Sequence, residues 1–94
     1  MLEQTLVVGG TVVFVDSLGV PHPALVTAIH GATTHGATPC INLVRVTADD
    51  TMRDNYGRQI ARETSVVYRT SQPAHGMYYA MPGEALNPRA QLQA

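Results

Sequence analysis

Residues 10–31, GTVVFVDSLGVPHPALVTAIHG, constrain the fold more than any other part of the chain. Residues 11–16 are rich in Val, Thr and Phe, whose branched and aromatic side chains pack well on a pleated sheet. Asp16 and Gly19 bound a turn signal, because an Asp side chain bonds turn amides and Gly tolerates a positive φ. Residues 24–30 alternate again in strand fashion. The stretch therefore predicts two strands joined by a tight turn.

The two prolines of this stretch limit where its second strand can pair. Pro21 and Pro23 lack an N–H and cannot pair within a central strand, so the chain around them is expected to be extended at an edge. Strict alternation further along the strand puts Ile29 on the face of Leu25, opposite Val26.

Other segments also have strand character. Residues 40–47 are apolar on both faces at their centre, with Asn42 and Arg45 as exceptions, which predicts a central strand. Residues 60–69 are a further strand, clearest in 64–69, and residues 77–81 a short last one. Residues 48–59 are expected to be a long polar loop, and residues 5–8 either a strand or an arm.

Four or five short strands joined by turns and longer loops favour a small all-β barrel, because closing the sheet removes exposed edges. An SH3-like barrel of about five strands is the first choice. An OB-like barrel is second, since it usually needs a helix and no 3.6-residue pattern is present, and a two-sheet sandwich is third. We expect an N-terminal arm at 1–9, a barrel at 10–81 and an extended tail at 82–94.

Composition limits the classes of partner. Charged residues make up 14% of the 94 residues, against about a quarter in typical soluble domains. A surface so poor in charge favours self-association unless it is normally covered. The net charge of −1 gives no drive towards phosphate or anionic lipid, and no apolar run approaches the ~20 residues of a membrane span, so we expect no membrane partner.

No residue set predicts a catalytic, cofactor or metal site, and we expect a protein that is not an enzyme. The spacing of the histidines matches no zinc pattern. They are His22, His30, His35 and His75. Cys40 excludes an internal disulfide and is best explained as a small strand residue. The acids at 49, 50 and 54 lack the spacing of a calcium loop.

Residues 53–69 combine arginines with tyrosines, as some nucleic-acid-binding barrels do. The basic residues are Arg53, Arg58, Arg62 and Arg69, and the tyrosines Tyr56 and Tyr68. Four acids between 49 and 69 cancel this charge, whereas a phosphate-tracking surface is clearly basic. The sequence therefore argues against nucleic acid and favours Arg–carboxylate pairing in the loop or across a protein interface.

Several stretches resemble small, mostly uncharacterised proteins encoded by tailed bacteriophages and prophages. They are TVVFVDSLGVPHPALVTAIHG, PCINLVRVT, DNYGRQIARETSVV and QPAHGMYYAMPGE. The resemblance spans about residues 10–84, with YGRQIARETSVV and AHGMYY the most distinctive pieces, and brings no catalytic residues. It implies a phage protein from the structural gene block. His30 stands where the resemblance would place an aromatic residue such as Trp.

From these observations we expect a structural virion protein, a capsid cement or decoration protein that stabilises the shell by adding contacts between subunits. Its partners would be the major capsid protein or other virion subunits, with self-association left open, and its location the virion assembled in the host cytoplasm. The residues expected at the interface lie in the two arms and the 48–59 segment. They are Leu2, Leu6, Arg53, Asp54, Tyr56, Arg58, Met81 and Leu86.

Two alternatives remain. One is a neck or tail adaptor of the same virion, which would differ from a cement protein in copy number. The other is a small barrel that binds nucleic acid or a host protein, which would be absent from purified particles.

Overall fold

The computed structural model describes residues 5–30, 39–71 and 76–86. In these ranges the regular secondary structure consists of seven β-strands and one 3₁₀ turn. The only helical turn among them is a 3₁₀ turn at Arg69–Ser71. The strands are β1 (Thr11–Val15), β2 (Pro21–His30), β3 (Cys40–Val46), β4 (Arg53–Asp54), β5 (Gly57–Arg58), β6 (Ile60–Val66) and β7 (Tyr78–Ala80). No helix in this part of the chain is long and apolar enough to cross a membrane.

Five strands form one curled antiparallel sheet in the order β6-β3-β2-β1-β7. The curl brings the last strand back to the chain beyond β6. Tyr79 there donates its amide to the Val67 carbonyl at 2.8 Å and forms an isolated bridge with Tyr68. The sheet is thus a half-barrel partly closed at this bridge, and the prediction of a small all-β barrel is confirmed.

Asp16 shapes the β1–β2 turn, as the sequence predicts. Its Oδ1 accepts hydrogen bonds from the amides of Leu18 and Val20, both at 2.9 Å. Its carbonyl accepts a bond from Gly19, which has a φ of 83° that a side chain would disfavour. The turn therefore depends on one carboxylate and one glycine.

The prediction for the prolines is confirmed, but the predicted alternation of β2 is wrong at its end. Since β3 pairs with β2 only from Ala24 onwards, Pro21 and Pro23 have a described strand on one side alone. Near residue 27 the register of β2 against β3 shifts by one residue, a β-bulge. The bulge reverses the alternation, so Ile29 packs against the core cluster on the face of Val26.

A second bulge interrupts β6 opposite β3, and this strand is shorter than predicted. Ile41 pairs with Val66 but Leu43 with Glu63, so β6 holds one extra residue. Ser65 takes the strain there with a φ of 55°. β6 ends at Val66. Of the predicted strand residues 67–69, Val67 and Tyr68 pair with Tyr79 and Arg69 begins the 3₁₀ turn.

Eight of the eleven buried apolar side chains form one cluster. Ile41 and Leu43 of β3 and Phe14 of β1 are fully buried. The cluster comprises Val12, Phe14, Ala24, Val26, Ile41, Leu43, Val66 and Tyr79. Residues 5–8 form no strand, but the Gly9 amide bonds the Val26 carbonyl at 2.8 Å and ties this end to β2.

Candidate interaction surface

The convex face of the sheet carries an apolar strip that crosses four strands. Direct cross-strand pairing puts partners on one face. Val46 pairs with Ile60, Leu25 with Val44, and Pro23 with Val13. Val13, Leu25 and Val44 point away from the core cluster, because each has a member of that cluster next to it in sequence. Val46 and Ile60 lie on the same face by alternation along β3 and β6. We call this group the outer strip: Val13, Pro23, Leu25, Val44, Val46 and Ile60.

Much of the outer strip is open to solvent. Leu25 is 47% exposed, Val46 52% and Ile60 60%. Two hollows adjoin it on either side of His22 and Pro23. One, of about 290 Å³, lies towards Val46 and the end of β3; the other, of about 430 Å³, lies towards β1. A contiguous exposed apolar area with adjoining hollows is typical of a protein-binding surface.

Residues 48–59 lie beside the strip. The sequence predicts a long polar loop there, but these residues include the short hairpin β4–β5. Asp54 accepts the amide of Tyr56 at 2.8 Å, and Gly57 has a φ of 125° that suits a tight turn. The side chain of Tyr56 at the tip is 97% exposed. The local bonding of a short polar turn thus projects an aromatic side chain into solvent.

Three of the five charged residues of this segment form ion pairs with each other. Asp50 forms ion pairs with Arg58 and, at 3.5 Å, with Arg53. Arg58 also donates to the Thr47 carbonyl at 3.2 Å, which ties the hairpin to the end of β3. Hydrogen bonds from the Thr51 hydroxyl and amide lower the pKa of Asp49. The segment is therefore close to neutral and held in shape by its own polar groups.

A polar cluster surrounds Phe14. The Arg45 guanidinium lies 5.0 Å from the ring centroid and pairs with Glu63 at 2.9 Å. On another side, His22 contacts the ring and its Nε2 lies 2.9 Å from Asp16. Partial burial opposes ionisation of Asp16, but bonds from His22 and the turn amides outweigh it and lower its pKa. These contacts account structurally for Arg45, one of the two polar exceptions in its strand.

The other exception, Asn42, joins the two bulges. Its Oδ1 accepts the Ser65 amide at 3.0 Å and lies 2.7 Å from His30 Nε2. Since the oxygen is an acceptor, the His30 nitrogen is the donor in this contact. The pair places His30 at the strand end in a structural role.

A second network holds the segment after β7. Glu84 accepts hydrogen bonds from the Tyr68 hydroxyl and, at 2.8 Å, from the Met81 amide, and lies 3.4 Å from Arg69. Burial opposes its ionisation, but these bonds prevail and lower the pKa of Glu84. Burial and the bond to Glu84 raise the pKa of Tyr68. Burial raises that of the neighbouring Tyr79 to about 12.

The structure brings together one of the predicted groups of interface residues. Arg53, Asp54, Tyr56 and Arg58 are all exposed on the β4–β5 hairpin. The expected interface residues in the two arms differ from each other in burial. Leu6 and Met81 pack against the core cluster, and Leu86 is 39% exposed. Leu2, His35 and His75 lie outside the described residues.

Sequence reasoning missed the outer strip. The strand pattern predicts Leu25, Val46 and Ile60 in three separate strands, but not that they share one surface, since their proximity depends on the registers of β2, β3 and β6. The available signal was the unusual presence of apolar residues in both phases of β3. Such a pattern predicts burial on two faces, and here Val44 on the second face is only half-buried and Val46 is exposed.

The comparisons with known proteins found no match among protein-family models, curated proteins or solved structures. Among the described residues, no three His, Cys, Asp or Glu side chains are grouped as a metal ion would require.

Proposed function

We propose that this protein is a structural component of a tailed-phage particle, a capsid cement or decoration protein that binds shell subunits through its convex face. The phage assignment is supported by the resemblance of residues 10–84 to small phage and prophage proteins. The mode of action is supported by the outer strip, the single observation that carries the proposal. A cement protein acts by adding contact area between subunits, and repetition around a shell makes modest contacts sufficient.

The β4–β5 hairpin extends this surface. Tyr56 supplies a large, rigid aromatic group, a residue type enriched at interface hot spots together with Arg. Its exposed fraction of 97% leaves nearly the whole ring available to a partner. In the proposed contact the outer strip supplies the apolar area and Tyr56 an anchor at its rim.

The proposal is tested by quantitative mass spectrometry of purified particles from the source, with the major shell protein as internal standard. A ratio near one copy per shell subunit, or one per three, supports a cement protein. A few copies per particle would favour the neck or tail adaptor, and complete absence would contradict a virion role.

A matched pair of variants tests the surface. Ile60→Ser should reduce the copies per particle several-fold, because Ile60 lies within the outer strip. Leu18→Ser is the control, since Leu18 is 67% exposed but lies on the β1–β2 turn. Both proteins should unfold at the same temperature, because neither side chain is buried. Equal loss for both variants, or no loss for Ile60→Ser, would refute the role of the strip.

A further inference from the structure

The outer strip carries an arginine at its border that has no carboxylate partner among the described residues. Arg62 pairs directly with Val44, whose other neighbour across the sheet is Leu25, so its side chain starts on the convex face. The side chain is exposed. The other described arginines all form ion pairs, Arg45 with Glu63 and Arg69 with Glu84 among them.

Within the described ranges, Glu63 and Asp50 are already paired with other arginines and do not compensate this positive charge. Glu63, the next residue, pairs with Leu43 on the core face and is taken by Arg45. Asp50 is shared by the two arginines of the hairpin. Arg62 therefore adds one positive charge to an otherwise apolar surface, in a chain whose net charge is −1.

We propose that the outer strip binds a protein segment that presents a carboxylate between apolar side chains, with the carboxylate paired to Arg62. This inference rests on the proposed function and names the chemistry of the partner at that same surface. The planar guanidinium suits a carboxylate geometrically, and it would be paired against apolar surroundings that exclude water. The contact gives specificity, while the strip gives the buried area.

Charge argues against a second copy as the occupant. A two-fold contact brings the same patch of both copies together, so two Arg62 side chains would enter one interface. The strip itself holds no acid to pair with either of them, and at the adjoining hairpin Asp50 is shared by two arginines and Asp54 accepts the Tyr56 amide. Nucleic acid is also disfavoured as the partner, because several cations are needed to bind a phosphate backbone. Among the described residues, Arg62 is the only arginine that forms no ion pair with a carboxylate.

The probe is a random library of twelve-residue peptides, selected on the immobilised full-length protein. The expected result is enrichment of peptides with Asp or Glu flanked by aliphatic or aromatic residues. Against one enriched peptide, Arg62→Gln should weaken binding at least about tenfold, as for loss of a charge-assisted hydrogen bond. Arg62→Lys should recover part of that loss, and replacing the peptide's Asp by Asn should mimic it.

Arg69→Gln is the matched control, because Arg69 lies outside both the outer strip and the hairpin and is paired with Glu84, so this variant should bind the peptide as the unaltered protein does. Selection on Arg62→Glu should enrich Lys or Arg instead. Peptides without an acid preference, or no enriched peptide at all, would overturn the inference. A dimer in light scattering that Ile60→Ser dissociates would overturn it in favour of self-association.

The two proposals fail separately. If Ile60→Ser abolishes peptide binding and Arg62→Gln leaves it unchanged, binding through the outer strip is supported and recognition of a carboxylate by Arg62 is refuted. If both variants weaken peptide binding but neither changes the number of copies per particle, recognition of the acidic peptide is supported and the virion role is refuted.

Discussion

Replacing Tyr79 by Phe should change how the stability of the barrel depends on alkaline pH. The ring is 1% exposed in the core, and its hydroxyl donates to the Pro39 carbonyl at 2.8 Å. Phe keeps the packing but removes this bond and leaves the carbonyl without its donor. At pH 8 we expect the variant to be less stable by about 1–2 kcal/mol.

Above pH 10 the difference should shrink and then reverse. Burial raises the pKa of Tyr79 from 10.0 to about 12, so the folded state retains a proton that the unfolded chain loses. The stability linked to this proton is fully present below pH 10 and is lost as the pH rises towards 12. At about 1.4 kcal/mol per pKa unit, the loss approaches ~1.4 kcal/mol near pH 11 and ~2.3 kcal/mol near pH 12.

The assay is urea unfolding followed by circular dichroism at intervals from pH 8 to 11.5, on the unaltered protein and on Tyr79→Phe. Tyr68, whose pKa burial also raises, is present in both proteins, so the difference isolates Tyr79. The two stability curves should converge near pH 11. Parallel curves across the whole range would refute the argument that the buried phenol is held protonated.

Two further predictions concern the bulge at Ser65 and the loss of stability at acid pH. Ser65→Gly should stabilise the protein by about 0.5–1 kcal/mol in urea unfolding, because relief of the positive φ of 55° exceeds the entropy cost of Gly, and an unchanged or lower midpoint would contradict this. The lowered pKa values of Asp16 and Glu84 contribute stability above their ordinary values of 3.8 and 4.5, which is lost as the pH falls below them. Asp16→Asn with Glu84→Gln should flatten the fall in stability between pH 5 and about 2.5, and an equally steep fall would show that other groups cause it.

Local sequence was enough for the β-hairpin and its turn. The turn around Asp16 and Gly19 depends on bonds between residues at most four apart, so the residue types alone predict it. The all-β class and the small barrel followed from short segments of branched residues. The charges of residues 48–59 also predict an exposed polar segment, although the sequence indicates a loop where the structure has the β4–β5 hairpin.

What the sequence by itself determined is therefore the strand-forming segments, the turns between them and the absence of a strongly charged surface. Only the tertiary structure decided which faces those strands present. The bulges at residue 27 and at Ser65 each reverse an alternation of period two, and nothing in the local pattern marks them. The outer strip and its neighbour Arg62 exist because three registers align residues far apart in the chain, and register is set by the packing of the whole sheet.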